Sequence, residues 1–434
     1  MTAEHAEIAV ERLKRLDDER VDFRFKGLPP QADGLTVGEL AARRLNLFTD
    51  GFTTPVLALS AERLEHNLAL METYAARHGL AFAPHGKTSM APRLFQRQIE
   101  HGAWGITLAV PHQVRVARHF GFERIFLANE LVDPAALRWL AGELDASDDF
   151  RFVCYVDSVA GVRRMDAALT EAGARRRVDV VVELGAGDGA RTGVRTEAEC
   201  AAVADAVAAT STLRLVGVAG YEGEVPEADG ERVRAFVRRL VALAVEFDAA
   251  GRFAGLDEIV VSAGGSAWFD AVADVFARVP ELSGPVLKLL RSGAYVSHDD
   301  GRYRRVTPFN RVPEEGALRP AFRLWAQVVS RPEPGRAFTN AGKRDAAYDL
   351  DLPEAQVVRE WRSGSVRAAD GVTVTGLSDQ HGWLRLADGT GAGVEVGDWV
   401  GMGLSHPCTS FDKWQLIPVV EDDGTVVEYV RTFF

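Results

Sequence analysis

The 434-residue chain carries only three cysteines, Cys154, Cys200 and Cys408, widely spaced and odd in number. That argues against a disulfide framework and fits a reducing cytoplasm. No uncharged apolar run approaches the roughly 18–20 residues of a membrane span. The opening stretch MTAEHAEIAVERLKRLDDERVDFRFKG is densely charged and lacks the apolar centre of a secretory signal. Basic charge is in deficit, with 50 Lys and Arg against 62 Asp and Glu and a net charge of −12. An acidic surface repels phosphate backbones, so no nucleic-acid partner is expected. A small anionic substrate remains compatible with local Arg and Lys. Internal repeats and low-complexity tracts are also missing.

What remains is an ordinary globular composition, 47% apolar and 26% charged, able to bury a core of real size. The length suits two domains. From about Thr54 to Arg291, short apolar runs alternate with amphipathic stretches. The runs are 54–60, 81–87, 104–110, 124–129, 150–157, 178–185, 213–221, 258–265 and 285–293. Several are β-branched and little interrupted by charge, as buried parallel strands are. Eight of these nine would close a (β/α)8 TIM-like barrel; an open doubly wound sheet is the alternative. After about Pro308 the rhythm changes to short strands separated by Gly- and Asp-containing turns, which reads as all-β. The expected organisation is an N-terminal segment over 1–50 packing on either region, a barrel over 51–308 and a C-terminal β-domain over 309–434.

Three local signals carry chemistry. In APHGKTSMAP, Lys87 stands just beyond a strand, where parallel barrels present reactive groups, and a lysine condenses with aldehydes once its pKa is lowered. SAGGS (262–266) and RSGAY (291–295) follow two consecutive late strands. Glycine turns with exposed amides can hold phosphate there. Downstream, GLSHPC places His406 and Cys408 one residue apart, so that on a strand both would face the same way. Imidazole plus thiolate suits zinc, and two ligands alone would leave an open, catalytic type of coordination.

Together these motifs resemble the fold-type III pyridoxal-phosphate enzymes, the alanine-racemase-like barrels, in their D-serine dehydratase and D-threonine aldolase branch. The resemblance spans about Thr54 to Trp414. It implies that Lys87, preceded by His85, carries pyridoxal 5'-phosphate as an imine. ELGAGDGARTGV implies an active-site arginine at Arg191, and GYEG a tyrosine near the cofactor ring at Tyr221. SAGGS and RSGAY correspond to phosphate-binding turns, giving Gly264, Gly265, Ser266, Gly293, Ala294 and Tyr295. By analogy with the racemases, Arg291 would contact the pyridine nitrogen. The family further implies a homodimer.

The His-x-Cys pair separates the branches: racemases lack it, and D-threonine aldolases usually present His-x-Asp. Its form resembles D-serine dehydratase and 3-hydroxy-D-aspartate dehydratases. DQHG replaces a more usual acidic residue before His381, which is a further catalytic candidate. The resemblance therefore implies a zinc-dependent lyase that removes water from D-serine or a related D-β-hydroxy amino acid, yielding a 2-keto acid and ammonia. The alternatives are aldol cleavage to glycine and aldehyde, racemisation, and cofactor binding without turnover.

Overall fold

The computed structural model describes residues 11–387 and 393–434; the first ten residues of the 1–50 segment lie outside the described residues. The chain divides into two compact units. Among the described residues, one comprises Met71–Lys87 and Gln98–Gly293, the other 11–70, Thr88–Arg97 and the residues from Ala294 onward.

The first unit contains eight parallel strands: Ala81–Phe82, Ile106–Leu108, Arg124–Glu130, Arg151–Val156, Val178–Leu184, Leu213–Gly220, Ile259–Ala263 and Val286–Leu290. From the second onward each pairs with the next, and the eighth returns to the first through Ala81 and Leu289. The remaining seam is joined by Trp104 N–H to Phe82 O at 2.7 Å, Thr107 N–H to Pro84 O at 3.0 Å, and a parallel bridge between His85 and Thr107. The alternation read from the sequence is therefore a (β/α)8 barrel and not an open sheet.

Its interior is filled by Phe126, Val153, Tyr155, Val181, Val260 and Leu289, which form one buried cluster. Side chains pack on both faces of each strand, so the runs show no polar alternation. The longest outer helix, Gly230–Ala249, buries Val233, Phe236, Val237, Leu240, Leu243, Ala244 and Phe247 along one stripe. Asp229 starts it by accepting the Glu231 and Arg232 N–H groups. At Gly217 the backbones of adjacent strands approach so closely that a Cβ would stand 1.9 Å from Val260 O.

The second unit is built on a ten-stranded sheet whose main path runs Val366–Ala368, Glu354–Arg359, Trp399–Gly403, Phe322–Glu333, Val56–Ser60, Leu416–Val420, Val426–Arg431. This corrects the placement of the run at 54–60. Val56–Ser60 is not a barrel strand: it pairs antiparallel with Phe322–Glu333, Val56 opposite Trp325, and parallel with Leu416–Val420, Leu59 opposite Val419. Val56, Leu57, Ala58 and Leu59 are all buried. A strand buried on both faces looks the same in either sheet, which is why the sequence shows nine runs where the barrel uses eight. Val21, Phe25, Leu28, Val37, Leu40 and Phe52 pack with Trp325, Leu416 and Tyr429 in a single core. The short helix Val37–Ala42 there opens with a capping box between Thr36 and Glu39. No helix among the described residues is long and apolar enough to cross a membrane.

Candidate active site

In the first unit the chemistry-bearing residues gather at the carboxyl ends of the strands. Lys87 sits in the single turn Gly86–Thr88 that follows Ala81–Phe82. His85 precedes it, tied to the barrel by its bridge to Thr107. Burial, followed by the positive charges of Lys87 and Arg291, holds the His85 imidazole well below its ordinary range, so it is neutral at pH 7. Its buried Nδ1 has no hydrogen-bond partner.

Arg291 leaves the last strand and is 6% exposed. Its Nη1 donates to the Tyr155 hydroxyl and its Nη2 to Gly220 O at 2.6 Å. The guanidinium lies 5.4 Å from the Phe126 ring centre and 5.6 Å from that of Tyr155, contacts that favour a cation in a desolvated place. Nε is left buried and unpartnered.

The glycine turn after Ile259–Ala263 is occupied in a way the sequence did not suggest. Gly264 N–H donates to Glu222 Oε2 at 2.9 Å and Gly265 N–H to Glu222 Oε1 at 2.5 Å. Gly264 has φ +104°, a region that favours glycine. A Cβ at Gly265 would meet Tyr221 Cε2 at 2.7 Å, so the Tyr221 ring lies against this turn. Arg191 is largely exposed; its backbone N–H donates to Glu224 Oε2 at 3.0 Å, its Nε pairs with Glu224 Oε1, and its guanidinium lies 5.8 Å from the Tyr221 ring centre. Tyr221, Arg191 and the glycine turn thus come together. Gly293 follows the last strand outside any helix or strand, and Ser266 is half-buried beyond Gly265.

Sequence reasoning missed a carboxylate group at the ends of three neighbouring strands. Glu130 ends Arg124–Glu130, Asp157 follows Arg151–Val156, and Glu183 lies next to last in Val178–Leu184. Burial and then the negative charges of Glu183 and Asp157 push the Glu130 carboxyl up to about 8. Burial also raises Glu183, against hydrogen bonds from Thr192 and Glu130 and the charge of Arg291. The hydrogen bond between these two buried acids, with one of them strongly raised, is what two carboxyl groups sharing a proton give. A glutamate directly after the apolar stretch Val180–Val182 in VDVVVEL was the visible signal.

In the second unit Ala294 and Tyr295 form a buried single turn, Ala294–Val296. His406 and Cys408 are indeed neighbours, but the reason differs from the one expected. The strand Trp399–Gly403 has already ended; His406 adopts a left-handed backbone with φ +55°, and Cys408 begins the short helix Cys408–Phe411. A turn brings the pair together, not strand alternation. Asp299 Oδ2 pins the turn by accepting the His406 N–H at 2.9 Å. Asp349, which no sequence motif marked, meets His406 Nδ1 through Oδ2 at 2.5 Å and accepts from Thr409 Oγ1 at 2.8 Å. Hydrogen bonding to Cys408, with a further contribution from Asp349, raises the His406 imidazole to about 9. Thr88 Oγ1 lies 3.4 Å from Cys408 Sγ. His381 is exposed in the turn before Gly382–Leu386, its carbonyl accepting from Ser378 N–H. Among the described residues no three His, Cys, Asp or Glu side chains form a metal-binding group, so His381 does not complete one with His406 and Cys408.

These residues fit a phosphorylated aldehyde cofactor: an amine at Lys87, a turn whose amides already grip an anion, and a buried Arg291 donor to spare. A carboxylate-oriented imidazole beside a thiol also fits the donor set of a zinc-type ion, with the Asp349 contact leaving Nε2 for the metal.

Residues 59–276 match the family described as "Alanine racemase, N-terminal domain". The chain belongs to that family. Residues 321–420 match a second family, "Putative serine dehydratase domain". The chain is 29% identical to a D-threonine aldolase of an Arthrobacter species over 372 residues, covering 85% of this chain and 89% of that protein. It is 26% identical to a D-threo-3-hydroxyaspartate dehydratase of a Delftia species over 397 residues, covering 87% and 97%. A D-threo-3-hydroxyaspartate dehydratase solved in a metal-free form, with one cysteine replaced by alanine, superposes with TM-score 0.68 at 25% identity over 90% of this chain and 99% of that one. The same enzyme has been solved with a histidine two positions before that cysteine replaced.

Proposed function

We propose that the protein is a pyridoxal-phosphate-dependent lyase that dehydrates D-serine or a related D-β-hydroxy amino acid to a 2-keto acid and ammonia, with zinc as second cofactor. The observation that carries the reading is the His406–Cys408 pair with its orienting Asp349. Its spacing equals that of the histidine and cysteine replaced in the dehydratase structures.

Lys87 would hold pyridoxal phosphate through its amine, with the turns Gly264–Ser266 and Gly293–Tyr295 holding the phosphate. When bound, that cofactor supplies an electron sink that acidifies the hydrogen on the substrate α-carbon. Lys87, once its amine is released by substrate, is the base for that hydrogen. The neutral His85 beside it adds no positive charge of its own. Arg291 holds a fixed cation among the Phe126 and Tyr155 rings, with Nε as its remaining donor toward a pyridine nitrogen. Tyr221 and Arg191 flank the glycine turn and would shape the cofactor and substrate pocket. Zinc held by His406 and Cys408 would supply Lewis acidity toward a β-hydroxyl, a poor leaving group by itself. His381 remains a candidate for substrate contact through its exposed ring. A cytoplasmic homodimer completes the reading, supported by the three free cysteines and by family resemblance.

Aldol cleavage is the second reading, favoured by the identity to D-threonine aldolase. Both use the same amine and metal, but on different bonds. Incubation with D-serine, D-threonine and 3-hydroxy-D-aspartate, with and without chelator, separates them. Keto acid and ammonia, lost on chelation and restored by zinc, are expected. Glycine and aldehyde would instead make the protein an aldolase, and full turnover after metal stripping would remove zinc from the scheme.

A further inference from the structure

The two amides that the sequence assigns to phosphate already have an anionic partner inside the protein. Glu222 is fully buried, and both of its oxygens are used, Oε2 by Gly264 N–H and Oε1 by Gly265 N–H. A carboxylate gripped by two successive amides occupies the kind of concave backbone site that binds phosphate oxygens. The turn is closely packed. A Cβ at Gly264 would stand 2.0 Å from Leu290 Cδ1, and one at Gly265 would strike the Tyr221 ring. Each amide has one hydrogen to donate, so a carboxylate and a phosphate cannot both take full bonds from this pair.

We propose that Glu222 competes with phosphate for the Gly264 and Gly265 amides and thereby sets how tightly the protein holds a phosphorylated cofactor. The proposal rests on the pyridoxal-phosphate reading for the identity of that cofactor, but the anion site itself rests on the hydrogen bonds. Glu222 stands on the single turn Glu222–Glu224 that follows Leu213–Gly220. The same segment carries Tyr221, against Gly265, and Glu224, which holds Arg191. Release of Glu222 from the amides therefore shifts the segment that positions the tyrosine and arginine expected to face the cofactor. Glu222 is a positioning residue in this scheme, and cofactor entry and arrangement of the pocket are one event.

The test is titration calorimetry of the full chain, stripped of cofactor, with inorganic phosphate and separately with pyridoxal phosphate, in wild type and Glu222→Gln. The glutamine keeps the shape but sets an NH2 group against one amide hydrogen, which weakens the internal grip. Phosphate is expected to bind E222Q about tenfold more tightly, the factor one charge-assisted hydrogen bond is worth. Cofactor association, followed by the absorbance of the lysine imine, should accelerate in parallel. Equal or weaker phosphate binding by E222Q, with its circular dichroism unchanged, overturns the proposal and makes Glu222 a brace between the two turns. Should E222Q fail to fold, E222D, with a side chain one methylene shorter, is read on the same scale. Wild type that binds phosphate but forms no imine with pyridoxal phosphate refutes the cofactor reading and leaves the phosphate comparison intact, so the two failures are distinguishable.

Discussion

Replacing Glu130 by glutamine should make the protein more stable in alkali than the wild type, by an amount that the barrel geometry sets. The Glu130 carboxyl is buried beside Glu183 and Asp157 and is pushed up to about 8, whereas in the unfolded chain it titrates near 4.5. Between those values the folded state keeps a proton that the unfolded state has lost. Stability then falls as pH rises from about 4.5 to about 8 and is level above that. Each pH unit is worth about 1.4 kcal/mol, so roughly 3 kcal/mol is lost by wild type between about pH 5.5 and about pH 9. The glutamine of E130Q would be neutral throughout and nearly isosteric with the protonated acid; comparing two pH values cancels the constant cost of burying its amide. For a unit of this size, about 3 kcal/mol corresponds to roughly 6–12 °C in Tm. Scanning calorimetry of wild type and E130Q, stripped of cofactor, at these two pH values reads the difference directly. E130Q should match wild type within a few degrees in acid and exceed it by that margin in alkali. Parallel pH dependence in the two proteins would refute the shared-proton reading of Glu130 and Glu183.

Three further outcomes are expected. Gly217→Ala forces a Cβ to 1.9 Å from Val260 O and should abolish soluble folded protein or cost about 4 kcal/mol or more, checked by expression and urea unfolding. Asp349→Asn removes the negative partner of His406 Nδ1 and should weaken zinc binding about 10–100-fold while leaving the unfolding midpoint of the metal-stripped protein near wild type; competition with a chromogenic chelator measures it. Lys87→Ala should lose the imine absorbance on addition of pyridoxal phosphate yet still bind inorganic phosphate. A retained imine band would place the reactive amine on another lysine.

The barrel was legible because strands covered on both faces become unbroken apolar runs, such as FVCYV and IVV, at a spacing that a helix fills. The same property hid the sheet to which Val56–Ser60 belongs, since pairing partners more than 250 residues away decide it and burial alone does not. Lys87 and the glycine turns were legible as motifs at strand ends. His406 and Cys408 were legible for the wrong reason: their proximity depends on a left-handed residue pinned by Asp299, and nothing in a His-x-Cys pattern announces that. Asp349 lies 57 residues before His406 in a loop with no periodicity, so only the folded chain brings it into view. Glu222 stands in GYEG beside the aromatic residue that the motif marks. Its role depends on the backbone of another turn, which composition cannot encode.

The position of Val56–Ser60 has a consequence for how the chain is made. One of its neighbours, Leu416–Val420, is separated from it by some of the longest sequence distance in the molecule. At about 5–20 residues per second, a ribosome would need roughly 20–70 s to travel between the two. Throughout that interval the apolar strand must wait without its parallel partner, while every strand of the barrel is already emerging. Apart from Thr88–Arg97, the barrel is thus spliced into the middle of the other unit's sequence and can begin to fold before its host is complete. A released chain ending at Gly293 should already resist protease across 98–293 while the preceding segment stays cleavable.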